Sequence, residues 1–139
     1  MGAVVQDEDT AVVQQVYAAF EAGDLTRIGA LFAADGVITQ SPGVPWGGVH
    51  RGHAGLAHFL TALTGHIESR PVSDQLIADG DGHVVQVGRT RGTVRATGAP
   101  FDVPEVHVWT VRAGQVQRFE VYLDTAAMRH ALALPARDG

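Results

Sequence analysis

The sequence predicts an α+β fold in which helices pack on the concave face of a curved antiparallel sheet. Three observations predict it. Apolar residues recur at helical spacing in the first half of the chain, the pattern changes to strand-like alternation after Pro71, and no internal repeat, low-complexity tract or linker divides the 139 residues. Helices bunched early and strands bunched late bury both kinds of apolar surface when the helices cover one face of the sheet. The length suits one domain over 1–139 and is enough for a real core.

The elements follow in order. Val12, Val13, Val16, Tyr17 and Phe20 lie at helical spacing behind an acidic first turn, so 7–22 reads as a helix that Gly23 stops. A short second helix, 26–32, buries Ile28, Leu31 and Phe32 together with Leu25 before it. Asp35-Gly36 reads as a turn and Val37 to Gln40 as a first strand. SPGVPWGGVHRG, 41–52, is too rich in Pro and Gly for a regular element and reads as a long loop carrying Trp46. A third helix, 53–64, presents Leu56, Phe59, Leu60 and Leu63 on one face. Strands are expected at 72–78 and 83–96 around the turn Asp79-Gly80-Asp81-Gly82, then a hairpin over 103–125. A last helix, 125–134, closes the chain with Asp124 well placed as its N-cap.

Composition excludes several function classes. Fifteen acidic residues against ten basic ones, with no basic cluster denser than the arginines between Arg89 and Arg95, make nucleic acid and anionic membrane poor partners. The absence of cysteine excludes disulfides, thiolate metal sites and thiol nucleophiles, and fits a reducing cytoplasm. The opening MGAVVQDEDT has no signal-like basic and apolar regions, and no apolar run is long enough to span a membrane.

The chemistry concentrates in the hairpin VPEVHVWTVRAGQVQRFEVYLDT. In its second strand Phe119, Val121 and Leu123 alternate with polar neighbours, so one face is dry. In its first, Glu105, His107, Trp109 and Val111 share one face and Val106, Val108 and Thr110 the other. Loop length decides between them. A two-residue loop puts Ala113 at positive φ, at a cost of about 1 kcal/mol or more, and leaves Glu105 and His107 outside. A three-residue loop, Arg112-Ala113-Gly114, needs a left-handed residue only at its glycine. It is therefore expected, setting His107 against Phe119 and Glu105 against Val121, both inward. Two residues on a strand are roughly 6.6 Å apart, close enough for the two side chains to share a hydrogen bond and handle protons together.

Each feature also has a plainer reading. Glu105, beside Pro104, can reach solvent or pair with Arg89 or Arg91, and His107 can be a core histidine bonded to a backbone carbonyl. Trp109 and Phe119 are expected as pocket wall, and Trp46 as a lid over the pocket mouth or a dimer contact. His50, His53, His58 and His66 place no pair on one helix face with a carboxylate, so no metal site is expected. Gly88 and Gly92, alternating with Thr90, are expected to leave room for a bulky ligand.

Four stretches, VYAAFEAGDLTRIGALFAADGVI, PGVPWGGVHRGHAGLAHFL, VHVWTVRAGQV and FEVYLDTAAMRHALALP, carry a resemblance to the nuclear transport factor 2-like (NTF2-like) superfamily of ketosteroid isomerases, limonene epoxide hydrolases and SnoaL-like polyketide cyclases. The resemblance spans most of the chain and implies a cone-shaped fold around an apolar pocket that works without metal or cofactor. It also implies that the catalytic groups of those relatives are replaced. The general-base aspartate of ketosteroid isomerases falls at Gln40 and Ser41, their oxyanion tyrosine at Val16 beside Tyr17, and their second donor near His107. The last-strand aspartate of epoxide hydrolases and SnoaL-like cyclases falls at Val121, and the Arg and Asp completing the epoxide hydrolase site at Gly88 and Thr90. Gln40 resembles the water-orienting asparagine of the epoxide hydrolases.

The expected function is a cofactor-independent acid/base enzyme acting on an apolar, carbonyl-bearing small molecule, of polyketide cyclase or isomerase type. His107, assisted by Glu105, is the expected base, with Gln40 and Tyr17 donating to the developing oxyanion. Val16, Trp46, Thr90, Trp109, Phe119, Val121 and Leu123 are the expected substrate contacts. The alternatives are a non-catalytic ligand-binding or assembly module and, below it, an epoxide hydrolase. A homodimer is expected through the outer hairpin face, with Val106, Val108, Val116 and Tyr122 among Arg118 and Glu120.

Overall fold

The structure, a computed structural model, describes residues 8–135. Residue 7, where the first helix is expected to begin, and the opening seven residues of the stretch read for a signal lie outside them. The elements are α1 (Glu8–Ala22), α2 (Leu25–Leu31), β1 (Phe32–Gln40), β2 (Gly48–Arg51), α3 (Gly52–His66), β3 (Ile67–Ala78), β4 (His83–Val94), β5 (Pro100–Arg112), β6 (Gln115–Leu123) and α4 (Thr125–Ala131). Aspartates cap two of the helices: Asp24 accepts from the Arg27 backbone N–H and Asp124 from that of Ala127, both at 3.0 Å. Among the described residues no helix is long and apolar enough to cross a membrane.

The six strands form one sheet in the order β2-β1-β6-β5-β4-β3. All neighbours are antiparallel except β1 and β6, which run parallel, so the wholly antiparallel sheet expected from sequence is corrected at that pair. Helix α1 packs over β3 to β6 and α3 over β1 to β3, so both helices sit on the same sheet. Their buried residues, Val13 and Val16 on α1 and Leu56, Phe59 and Leu60 on α3, are those the helical periodicity selects.

Three element assignments change. β2 lies inside the segment read as a loop: after the turn of residues 41–47, Gly48 to Arg51 pair with Gln40 to Val37, and flanking Gly and Pro hide this four-residue edge strand. β1 begins at Phe32, because the Asp35-Gly36 turn is an irregularity within the strand and does not precede it. β3 begins at Ile67 and runs through Pro71, which an edge strand tolerates since one side of its ladder is unpaired.

The hairpin departs from its expected register in an instructive way. Arg112 pairs with Gln115, so the loop is the two-residue Ala113-Gly114, with φ of 52° and 76°. Both residues are left-handed, as a type I′ turn requires. The register then shifts by one between Thr110 and Val111, with Gln117 as the extra residue of a bulge. The bulge restores the parity that the two-residue loop alone would lose. Glu105, His107 and Trp109 therefore face inward, but opposite Leu123, Val121 and Phe119, two residues further along β6 than expected. The same shift turns Val116, expected outside, into the core, where it is fully buried against Val111.

Candidate active site

Register stacks the concave face into rows that cross the sheet. Ile38, Phe119, Trp109 and Val84 form an apolar row across β1, β6, β5 and β4. The next row, Gln40, Val121, His107 and Gln86, alternates polar with apolar side chains, and beyond it Leu123, Glu105 and Gly88 lie abreast. Adjacent strands are about 4.8 Å apart, so Gln40 and His107 stand two strands from each other with Val121 between their bases. Trp109 and Phe119 stack with ring centroids 4.0 Å apart, and His107 meets the Phe119 ring edge-on at 4.9 Å, which fixes the imidazole plane.

Helices α1, α3 and α4 close the rows into a chamber of about 90 Å³, in which Tyr17, Phe59 and Met128 face the sheet. All eleven residues singled out from sequence line it: Tyr17, Gln40, Glu105 and His107 as the polar groups, with Val16, Trp46, Thr90, Trp109, Phe119, Val121 and Leu123 as wall.

Tyr17, His107 and Glu105 form one chain of bonds with the Trp109 indole. The Trp109 indole N–H donates to the Tyr17 hydroxyl oxygen at 2.9 Å. The hydroxyl lies 2.7 Å from His107 Nδ1, and His107 Nε2 lies 3.1 Å from Glu105 Oε2. With the indole as a fixed donor, the consistent assignment for a neutral imidazole has the Tyr17 O–H donating to Nδ1 and Nε2–H donating to the carboxylate. Burial pushes the Tyr17 phenol well above its ordinary value, and the Glu105 carboxylate adds to the rise against the opposing pull of the Trp109 donor.

Glu105 and His107 are 7% and 5% exposed, and the pair is made with each other. The arginines offered as alternative partners of Glu105, Arg89 and Arg91, both bind Asp102. Among the described residues, the buried polar atoms without a protein partner are Glu105 Oε1, Gln40 Nε2, both amide atoms of Gln86 and Arg129 Nε. A buried orphan costs about 1–3 kcal/mol, so such atoms mark where a ligand or water would be held. Two of them, an acceptor on Glu105 and a donor on Gln40, belong to residues lining the same chamber. No group of three or more His, Asp or Glu able to hold a metal occurs among the described residues.

The SnoaL-like domain family matches residues 13–119, most of the chain. The chain belongs to this SnoaL-like family. Its fold is that of NTF2-like proteins of solved structure. One, of unknown function, from Burkholderia pseudomallei K96243, is 30% identical over 90% of this chain and 97% of that one, with a TM-score of 0.83. Another, from Burkholderia xenovorans LB400, is 31% identical over 94% and 99%, with a TM-score of 0.82. TerC, co-crystallised with polyporic acid, is 27% identical over 91% and 98%, also at 0.82. No curated protein matches.

Several sequence-based placements in this SnoaL-like chain are sharpened or corrected. Val16 and Tyr17 both reach the chamber although they are about 100° apart on α1. Trp46 is 3% exposed and part of the inner wall, so its side chain is turned into the chamber and away from the outer surface. Gly88 and Gly92 do not widen the chamber: a Cβ there would stand 2.0 Å from the Val72 carbonyl oxygen and 1.8 Å from that of Glu68, so the glycines let β3 lie close against β4. Gln86 escaped the sequence reading because its valine neighbours on both sides give no alternation to show which face is dry; it is wholly buried beside His107 in the polar row. Met128, wholly buried on the short α4, was not singled out from sequence, although Ala131 and Leu132 follow it at helical spacing and pack against the same core.

Proposed function

We propose that the chain is a cofactor-independent acid/base enzyme of the cytoplasm whose chamber takes an apolar, carbonyl-bearing small molecule, for isomerisation or cyclisation of the polyketide type. One observation carries the reading. Glu105, which lines the chamber, keeps one carboxylate oxygen on His107 and leaves the other without a protein partner. This reassigns the roles expected from sequence, because both His107 nitrogens are engaged, one by Tyr17 and one by Glu105. Glu105 Oε1 is then the base, and His107 and Tyr17 hold it in place from behind.

In this reading Oε1 takes a proton from the carbon next to the substrate carbonyl, and the C–H electron pair becomes the enolate double bond. The charge that develops on the carbonyl oxygen is met by the Gln40 Nε2–H, the buried donor across the chamber. The proton returns from Glu105 to another carbon in isomerisation. In cyclisation the enolate carbon attacks a second carbonyl, whose oxygen takes the proton. A positioned base contributes about 10²–10⁴-fold, and an oxyanion donor about 10²–10³-fold.

The test is deuterium uptake in D₂O by the α-positions of a panel of apolar ketones and 1,3-diketones. Wild-type protein is expected to catalyse exchange and Glu105→Gln to lose it. A ligand held without exchange of any panel member would leave the second reading, binding without catalysis. Small-molecule binding itself is supported by TerC, co-crystallised with polyporic acid. Epoxide opening finds no acid in the polar row, where Val121 separates Gln40 from His107. The proposal includes a homodimer: half-buried Val106 and Val108 beside Tyr122, 58% exposed, leave an apolar outer sheet face. Sedimentation at micromolar concentration is expected to give twice the chain mass, and a monomer mass would refute the dimer.

A further inference from the structure

The chamber does not end at its apolar wall. Phe20, Ile67, Ser69 and Pro71 line it and also line a second, larger groove of about 770 Å³ outside, so the two spaces share a boundary. The groove is of different chemistry. Arg70, Arg91 and Arg95 border it together with Glu21 and Glu68. Three arginines thus border it beside two glutamates, in a chain whose overall balance is ten basic residues, all arginine, to fifteen acidic ones. The excess of positive charge at this mouth runs against the charge of the whole molecule.

We propose that the groove is an anion subsite and that the ligand of the chamber is amphipathic, an apolar ketone body carrying a carboxylate or similar anion at its far end. This rests on the reading of the chamber given above and adds the substrate's charge and its direction of entry. The guanidinium groups are available for it. Arg70 holds Glu21 at 2.9 Å, but with side chains 71% and 60% exposed, and such exposed pairs are worth little. Arg95 and Glu68 are a loose 3.9 Å apart, and Arg95 gives only its Nε–H to the Thr64 carbonyl, which leaves its terminal nitrogens for an anion. Arg91 uses its Nε on Asp102, and a guanidinium has five donors in a fork that suits a carboxylate.

Geometry sets the length. Glu105 pairs with Gly88 of β4, while Gly92 of the same strand borders the groove. Four residues of strand are roughly 13 Å, so the anion and the reacting carbon are separated by about that span. An anion cannot enter the apolar chamber without losing its hydration, so the uncharged ketone end goes in first.

The probes are 10-oxoundecanoate, whose ketone and carboxylate are nine carbon–carbon bonds apart, and its methyl ester. Binding is read by fluorescence of Trp46 and Trp109, the only two tryptophans, both in the chamber wall. The acid is expected to bind wild-type protein about tenfold more tightly than the ester at low salt, with the advantage shrinking at high salt. Arg70→Gln/Arg91→Gln should bring the ratio close to one, and Glu21→Gln, which frees Arg70, should raise it. Equal affinity of acid and ester for wild-type protein, failure of both to bind, or a ratio unchanged in both variants would overturn the proposal. The catalytic reading fails separately: it is lost if no ketone exchanges deuterium, whatever the acid-to-ester ratio.

Discussion

Replacing Tyr17 with phenylalanine keeps the ring in place and removes one oxygen that serves two buried partners. The Trp109 indole N–H, 2.9 Å from that oxygen, loses its acceptor, and His107 Nδ1, 2.7 Å away, loses its donor. Trp109 is 2% exposed and His107 5%, so water does not readily take over either role. A buried polar group left unpaired costs about 1–3 kcal/mol, and two of them sharing some relaxation put Tyr17→Phe at about 2–4 kcal/mol. For a chain of this size each kcal/mol moves Tm by roughly 3–4 °C, so the melting temperature should fall by about 6–16 °C. Tyr122→Phe is the control, since its hydroxyl makes a single surface bond to Glu120 at 3.1 Å and its loss should move Tm by less than about 2 °C. Circular dichroism melts of the three proteins decide the matter. A Tyr17→Phe shift no larger than that of Tyr122→Phe would mean that the hydroxyl does not bridge Trp109 and His107, and the support assigned to Glu105 would go with it.

Two further predictions concern alkaline pH and the hairpin turn. Burial raises the Tyr17 phenol above its unfolded value, so the folded state holds a proton that the unfolded chain releases; the associated stability is present below about pH 10 and is lost as pH rises beyond it. The bond to Glu120 also raises exposed Tyr122, but only the Tyr17 phenol is tied to burial, so the 295 nm absorbance of this two-tyrosine chain should show one step coincident with alkaline unfolding, which should vanish in Tyr17→Phe. Ala113→Gly should stabilise the chain by about 1 kcal/mol, measured by urea denaturation, because Ala113 sits at a φ of 52° where a Cβ is strained; a loss of stability would contradict the two-residue turn.

The fold was legible where a pattern repeats and obscure where one residue decides. The helices α1 and α3 and the period-two strands follow from apolar spacing, which single substitutions hardly disturb. The inward face of β5 was reached through a turn that is not there. The two-residue loop and the bulge at Gln117 each change the parity, and together they give the same facing as a three-residue loop in a register shifted by two. Turn chemistry argued against a left-handed Ala113, but long ladders on either side outweigh about 1–2 kcal/mol of local strain. The chamber lining was readable because relatives share a scaffold. The Glu105–His107 pair followed from their spacing on one strand, but its extension through Tyr17 to Trp109 did not, since that joins α1 to β5 across 90 and 92 residues of sequence. Which carboxylate oxygen is left over is likewise a property of packing, with no trace in composition or spacing.

The assignment of the base is tested most directly by comparing Glu105→Gln with His107→Gln on the ketone that wild-type protein exchanges fastest. The glutamine at 107 retains an amide donor for Glu105 Oε2, so kcat/KM for deuterium exchange should stay within about tenfold of wild type, whereas Glu105→Gln should lose about 10²–10⁴-fold. The opposite order, with exchange surviving in Glu105→Gln and lost in His107→Gln, would make the imidazole the base and contradict the account.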